Sequence, residues 1–172
     1  MPNSLQLSRS EKVSVFPEVE EYLKRLNLTI VAKDFERPWG GFFVLDESQA
    51  QAFGGLFFPN LKIADLRISG KLSPKILVVQ PGMRLSWQYH HRRAEIWRVV
   101  YGKVGVTLSD TDVEAEKVEL SPGDSISLRQ GQRHRLRGLD GWGVVAEIWQ
   151  HTDTERPSDE NEIVRLQDDF GR

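Results

Sequence analysis

Gln88, His90, Glu95 and His134 carry an amide, two imidazoles and a carboxylate, and their spacing sets the first question. Five residues separate Gly82 from Gln88, one separates Gln88 from His90, four separate His90 from Glu95, and six separate Glu95 from Gly102. In a strand, residues two apart share a face, so Gln88 and His90 point the same way. A short turn through His91–Ala94 returns the chain beside itself, and Glu95 then faces the same space. A second stretch runs from Gly123 through Arg129 and Gly131 to His134 and adds an imidazole from another strand. This set suits one hard or borderline divalent ion and leaves positions open for water or substrate. The plainer alternative is a hydrogen-bonded polar patch, but four convergent polar groups are costly to bury without a cation.

Other polar residues divide by parity. Arg84 shares the parity of Gln88 and His90, so it is expected to point into the same space, as a phosphate fork or in a structural ion pair. Lys75 shares the inward parity of Leu77 and Val79. His91 falls on the face opposite His90 and reads as a surface residue, and His151 belongs to no motif. Arg133, Arg135 and Arg137 alternate with His134 and Leu136 and read as a solvated outer stripe. Trp87, Trp97, Trp142 and Trp149 read as core or interface residues.

The elements that must hold these groups are mostly short strands. The spacing predicts them near Leu28–Asp34, Phe42–Asp46, Lys62–Ile68, Lys75–Gln80, Leu85–His90, Glu95–Val100, Gly105–Leu108, Val118–Leu120, Ser125–Leu128, His134–Leu136 and Val144–Trp149. Turn chemistry separates them at Pro81-Gly82, Gly102-Lys103, Pro122-Gly123, Gly131 and Asp140-Gly141. Many short strands with Gly/Pro turns indicate a β-sandwich or barrel. A helix is expected ahead of them, with Pro17 at its first position and an apolar stripe of Val19, Tyr22, Leu23 and Leu26. Residues 1–13 read as a loosely held start, residues 152–161 as a polar loop, and Ile163–Phe170 as an amphipathic closing piece.

Bulk properties narrow the function classes. A chain of 172 residues fits one domain with a real core. Net charge −2 provides no field for nucleic acid or anionic membrane. Mean hydropathy is −0.43, no apolar run is long enough to span a bilayer, and the N-terminus has no apolar signal segment. There is no cysteine, so disulfide and thiolate chemistry are excluded. A cytoplasmic protein is the expectation.

The two spacings resemble the cupin motifs G-x5-H-x-H-x3–4-E-x6-G and G-x5-P-x-G-x2-H-x3-N. Gln88, Arg129 and Gly138 stand where the pattern has His, Pro and Asn. The run from Pro81 to Trp97, with its RAEIW segment, and the closing ENEIVRLQDDFGR resemble the isomerase module of type II mannose-6-phosphate isomerases. The likeness covers about Pro38 to Arg172, with an unfamiliar insert over Ser48–Ser73.

That resemblance implies an all-β cupin double-stranded β-helix, a jelly-roll barrel, with a short N-terminal helix. It implies one divalent metal ion on Gln88, His90, Glu95 and His134: zinc first, with iron, manganese, cobalt and nickel as alternatives. The implied reaction is aldose–ketose isomerisation of a phosphorylated sugar. Lys75, matching a lysine upstream of the family motif, and Arg93, in the RAE segment, are implied as catalytic, and Arg84 as substrate-binding. Arg172 is a further phosphate candidate. A homodimer is implied as well. Type II enzymes usually carry a nucleotidyltransferase domain; nothing in these residues resembles one, so a stand-alone isomerase-like module is expected. A non-catalytic sugar-phosphate-binding cupin and a metal-dependent cupin oxygenase are the competing readings.

Overall fold

The structure is a computed structural model that describes residues 4–67 and 70–172. In chain order its elements are α1 (Lys12–Arg25), β1 (Ile30–Arg37), β2 (Gly40–Leu45), α2 (Ala50–Phe57), α3 (Ile63–Leu66), β3 (Lys75–Val79), β4 (Trp87–His90), β5 (Arg93–Tyr101), β6 (Val104–Ser109), β7 (Val118–Leu120), β8 (Ser125–Leu128), β9 (Arg133–Gly138), β10 (Gly143–His151) and β11 (Ile163–Gln167). One antiparallel sheet has the order β1-β2-β3-β10-β5-β8 and the other β11-β4-β9-β6-β7. This is the expected jelly-roll architecture. No helix among the described residues is long and apolar enough to cross a membrane.

The centre of the six-stranded sheet is buried on both faces, which explains why β3 is buried at all five positions. Its outer face packs against helices: Val15, Phe16, Val19 and Leu23 of α1 and Phe53 of α2 join Phe43, Ile76, Val78, Val144 and Ile148 in one core. Its inner face meets the second sheet through Leu77, Val79, Trp97, Val99, Val104, Val106, Leu136 and Val145. The inner face is graded along the strands. Leu77 pairs with Val145 and Val145 with Val99, giving an apolar row. Two residues along, Lys75 pairs with Glu147 and Glu147 with Trp97. Two further along, Trp149 pairs with Glu95. Direct partners and alternate residues share a face, so the barrel interior turns from apolar to ionic toward one end.

Several expectations are corrected. Helix α1 begins at Lys12 and contains Pro17, because burial of Val15 and Phe16 extends it upstream and offsets the hydrogen bond that proline cannot donate. The start of the chain is held where it is described: Leu5 is buried, and Trp142 Nε1 donates to Ser10 O at 2.5 Å. Lys62–Ile68 is no strand. Ile63–Leu66 forms a helical turn with Ile63 buried against α2, and Ile68 lies outside the described residues. The closing amphipathic piece is strand β11, paired with β4.

Gly40 marks a point of close approach. Its φ is +143°, and a Cβ there would lie 1.9 Å from Val78 O. Gly40→Ala is expected to cost more than about 3 kcal/mol, read by chemical denaturation. Gly82 also has positive φ but open space around it, and Gly82→Ala should cost only about 1–2 kcal/mol.

Candidate metal centre

Strand β4 supplies Gln88 and His90, β5 supplies Glu95 and β9 supplies His134. Gln88 and His134 are direct cross-strand partners. His90, Glu95 and His134 are each 2% exposed, and one ligand atom from each lies within 4.8 Å of the other two. His90 Nε2 is 3.2 Å from Glu95 Oε1, and His134 Nε2 is 3.7 Å from Glu95 Oε2. Ligands about 2.0–2.2 Å from one tetrahedral ion stand about 3.4 Å apart, so these separations fit a shared cation. Glu95 Oε2 has no hydrogen-bond partner although it is buried, as expected of an oxygen reserved for an ion.

Gln88 completes the group. Its Nε2 lies 3.3 Å from His90 Nε2 and 3.5 Å from His134 Nε2, and its Oε1 accepts from Ser86 Oγ at 2.5 Å. A half-turn of the amide presents Oε1 to the imidazoles and lets Nε2 donate to Ser86. The four residues singled out by spacing thus converge, and they fit a divalent cation.

Electrostatics prepare them. Burial lowers His134 to about 4, against the opposing charge of Glu95, so its imidazole is neutral at neutral pH. Its Nδ1 lies 3.1 Å from Gln132 O, a hydrogen bond that leaves the Nε2 lone pair facing the site. Burial alone would raise the Glu95 carboxyl; the charge of Arg93, then its contact with His90, reverses this and holds it well below the usual carboxylate range.

Arg93 is buried, donates from Nε to Glu95 Oε1 at 2.8 Å and from Nη1 to Ser158 Oγ at 2.9 Å, and stacks on Trp149. It holds the carboxylate, and its Nη2 also lies 3.1 Å from His90 Nε2. The 152–161 segment, expected as a plain polar loop, therefore reaches the site. It also brings Glu160 to Lys75, whose Nζ donates to that carboxylate and sits 4.0 Å from the Trp149 ring centre.

A cavity of about 320 Å³ opens beside the centre and is lined by Gln88, Arg93, Glu95, Lys75, Glu147, Trp97 and Trp149, among others. Glu147 was not singled out by the sequence reading. Its two oxygens accept from Trp97 Nε1 at 2.8 Å and Trp149 Nε1 at 2.9 Å. Burial, then the charge of Glu95, raises its carboxyl well above the ordinary range. A lone acid in the apolar run Val144–Trp149 was the available signal. The tryptophans read as core serve here as its donors.

Arg84 does not line this cavity. It forks onto Asp169, with Nε to Oδ2 at 2.7 Å and Nη2 to Oδ1 at 2.9 Å. The parity count fails because Leu85 and Ser86 are not strand and shift the alternation ahead of β4. Arg135 is likewise no solvated residue: it is 1% exposed, paired with Glu114 and bonded to Gln167, because the 110–116 loop and β11 cover that face. His91 is exposed, as expected, and His151 is a buried structural group that accepts from Ser158 N at 2.9 Å.

Comparison with known proteins gives a family and a fold. Residues 49–168 match the family model described as mannose-6-phosphate isomerase C-terminal. The xanthan biosynthesis protein XanB of Xanthomonas campestris pv. campestris is 29% identical over 136 residues, 79% of this chain and 23% of that protein. A mannose-1-phosphate guanylyltransferase of Escherichia coli is 28% identical over 142 residues, 83% of this chain and 24% of that protein. The chain thus spans about a quarter of these relatives. Among solved structures, a variant of Bacillus subtilis oxalate decarboxylase aligns with a TM-score of 0.53 at 18% identity, covering 78% of this chain and 30% of that one. The oxalate decarboxylase of Lactobacillus farciminis gives 0.53 at 17%, covering 78% and 33%. These two share the fold.

Proposed function

Because this chain belongs to the mannose-6-phosphate isomerase C-terminal family, we propose that it is a metal-dependent aldose–ketose isomerase acting on a phosphorylated sugar such as mannose 6-phosphate. The supporting observation is one cavity that meets the candidate metal centre at Gln88 and Glu95 and is lined by the buried Glu147 and Lys75. Gln88, His90, Glu95 and His134 would hold the ion, with zinc the first expectation. Such an ion supplies a Lewis acid that polarises the sugar carbonyl and steadies the charge developing on its oxygen.

The protein's own groups move the proton. Glu147 takes it from C2 of the open-chain aldose while the C2–H electron pair becomes the C1–C2 double bond. Glu147 then returns that proton to C1, and the hydroxyl proton passes from O2 to O1, leaving a ketone at C2. A carboxyl with a raised pKa suits both halves of this exchange. Lys75 directs N–H donors at sugar oxygens from the neighbouring position. Arg93 keeps Glu95 ionised and oriented rather than touching the reacting carbons.

The test is a screen of stripped protein reloaded with zinc, manganese, iron, cobalt or nickel, assayed anaerobically on hexose and heptose phosphates. Ketose phosphate should form from an aldose phosphate with at least one metal. Oxygen uptake with iron and no isomerisation of any sugar phosphate overturns the proposal.

A further inference from the structure

We infer that Arg165 on β11, flanked by Arg37 and Arg172, forms the subsite for a phosphate monoester dianion at the mouth of the cavity. The inference rests on the sugar-phosphate reading and assigns its anionic end. Arg165 is the direct cross-strand partner of Gln88, so it shares the inner face with that ligand. All three arginines line the cavity.

Their arrangement is unfavourable without an anion. Arg165 has no hydrogen bond or ion pair from its side chain among the described residues. Partial burial, then the like charge of Arg172, pulls it below the ordinary arginine range; Asp168 opposes this, Arg37 adds a smaller push in the same direction, and Glu160 opposes it least. Arg172 forks onto Asp168, with Nε to Oδ2 at 2.9 Å and Nη2 to Oδ1 at 3.0 Å, and Arg37 Nε stands 3.0 Å from Asp34 Oδ2. These carboxylates fix two guanidiniums and still leave several of the five N–H donors that each carries. The third, Arg165, keeps all of its donors. Three guanidiniums lining one polar cavity match the three terminal oxygens of a phosphate monoester. The Gln88–Arg165 pairing then puts the anion beside the metal centre rather than on it, as an open-chain sugar bound at both ends requires.

Inorganic phosphate is the probe, titrated calorimetrically into metal-loaded and chelator-treated full-length protein. Arg165→Gln and Arg37→Gln should each weaken phosphate about ten- to hundredfold with metal content unchanged. Arg129→Gln, which removes a charge paired with Asp110 outside the cavity, should change nothing. Mannose 6-phosphate should lose affinity in Arg165→Gln as phosphate does, while unphosphorylated mannose should not. Phosphate binding that depends on Arg165 in a protein without isomerase activity keeps this inference and removes the isomerase reading. Turnover with unchanged KM and unchanged phosphate affinity in Arg165→Gln does the reverse. Binding that vanishes with the metal and ignores Arg165 places the anion on the ion and also overturns the subsite.

Discussion

Glu95→Gln protein is expected to bind divalent metal at least about a hundredfold more weakly than the parent and to show no isomerase turnover at micromolar metal. The substitution keeps the side-chain volume and one oxygen but removes the charge between His90 and His134. Arg93 then faces a neutral amide while buried, so some loss of stability should accompany the loss of metal. Metal content by elemental analysis, thermal melting and the anaerobic assay separate the two effects: a folded, metal-poor, inactive protein is the expected product. Chelation of the parent should reproduce the inactivity and reloading should reverse it. Robust turnover by stripped protein would remove the metal from the mechanism altogether.

Glu147→Gln should keep its metal and most of its substrate affinity while kcat falls about 10²–10⁴-fold, the range for loss of a positioned acid–base group. The amide still accepts from one of the two indole N–H groups, so the packing of Trp97 and Trp149 is largely kept. Exchange of the C2 hydrogen with solvent deuterium gives the sharper measurement, because it should disappear together with turnover. Lys75→Met serves as the counter-experiment. If Lys75 rather than Glu147 carries the proton, that variant loses exchange and Glu147→Gln keeps it. The outcome assigns the base to one of two cross-strand neighbours.

The convergence of Gln88, His90, Glu95 and His134 was legible because its geometry is local. Gln88, His90 and Glu95 lie on two strands joined by a short turn, and alternation alone aligns them. His134 needed only a second motif of fixed spacing. Arg84 takes the ion-pair half of its reading, outside the cavity, and Arg135 is not the solvated residue expected; both depend on surroundings distant in sequence: Asp169 and Gln167 come from the far end of the chain, and Glu114 comes from a loop. The helical turn at Ile63–Leu66 lies in the insert, where a short apolar pattern does not separate strand from helix. Glu147 and Arg165 were hidden differently. Each sits in a strand of ordinary appearance, and its place beside the cavity arises only from pairing with Lys75 and Trp97, or with Gln88.

The split of apolar packing between two regions has an evolutionary consequence. The helices and the outer face of the six-stranded sheet form a core from which the cavity residues are absent. Anchorage of the scaffold is thus supplied behind the sheet, away from the cavity. Substitutions among the cavity side chains can therefore accumulate while the hidden face keeps the helices and the sheet together.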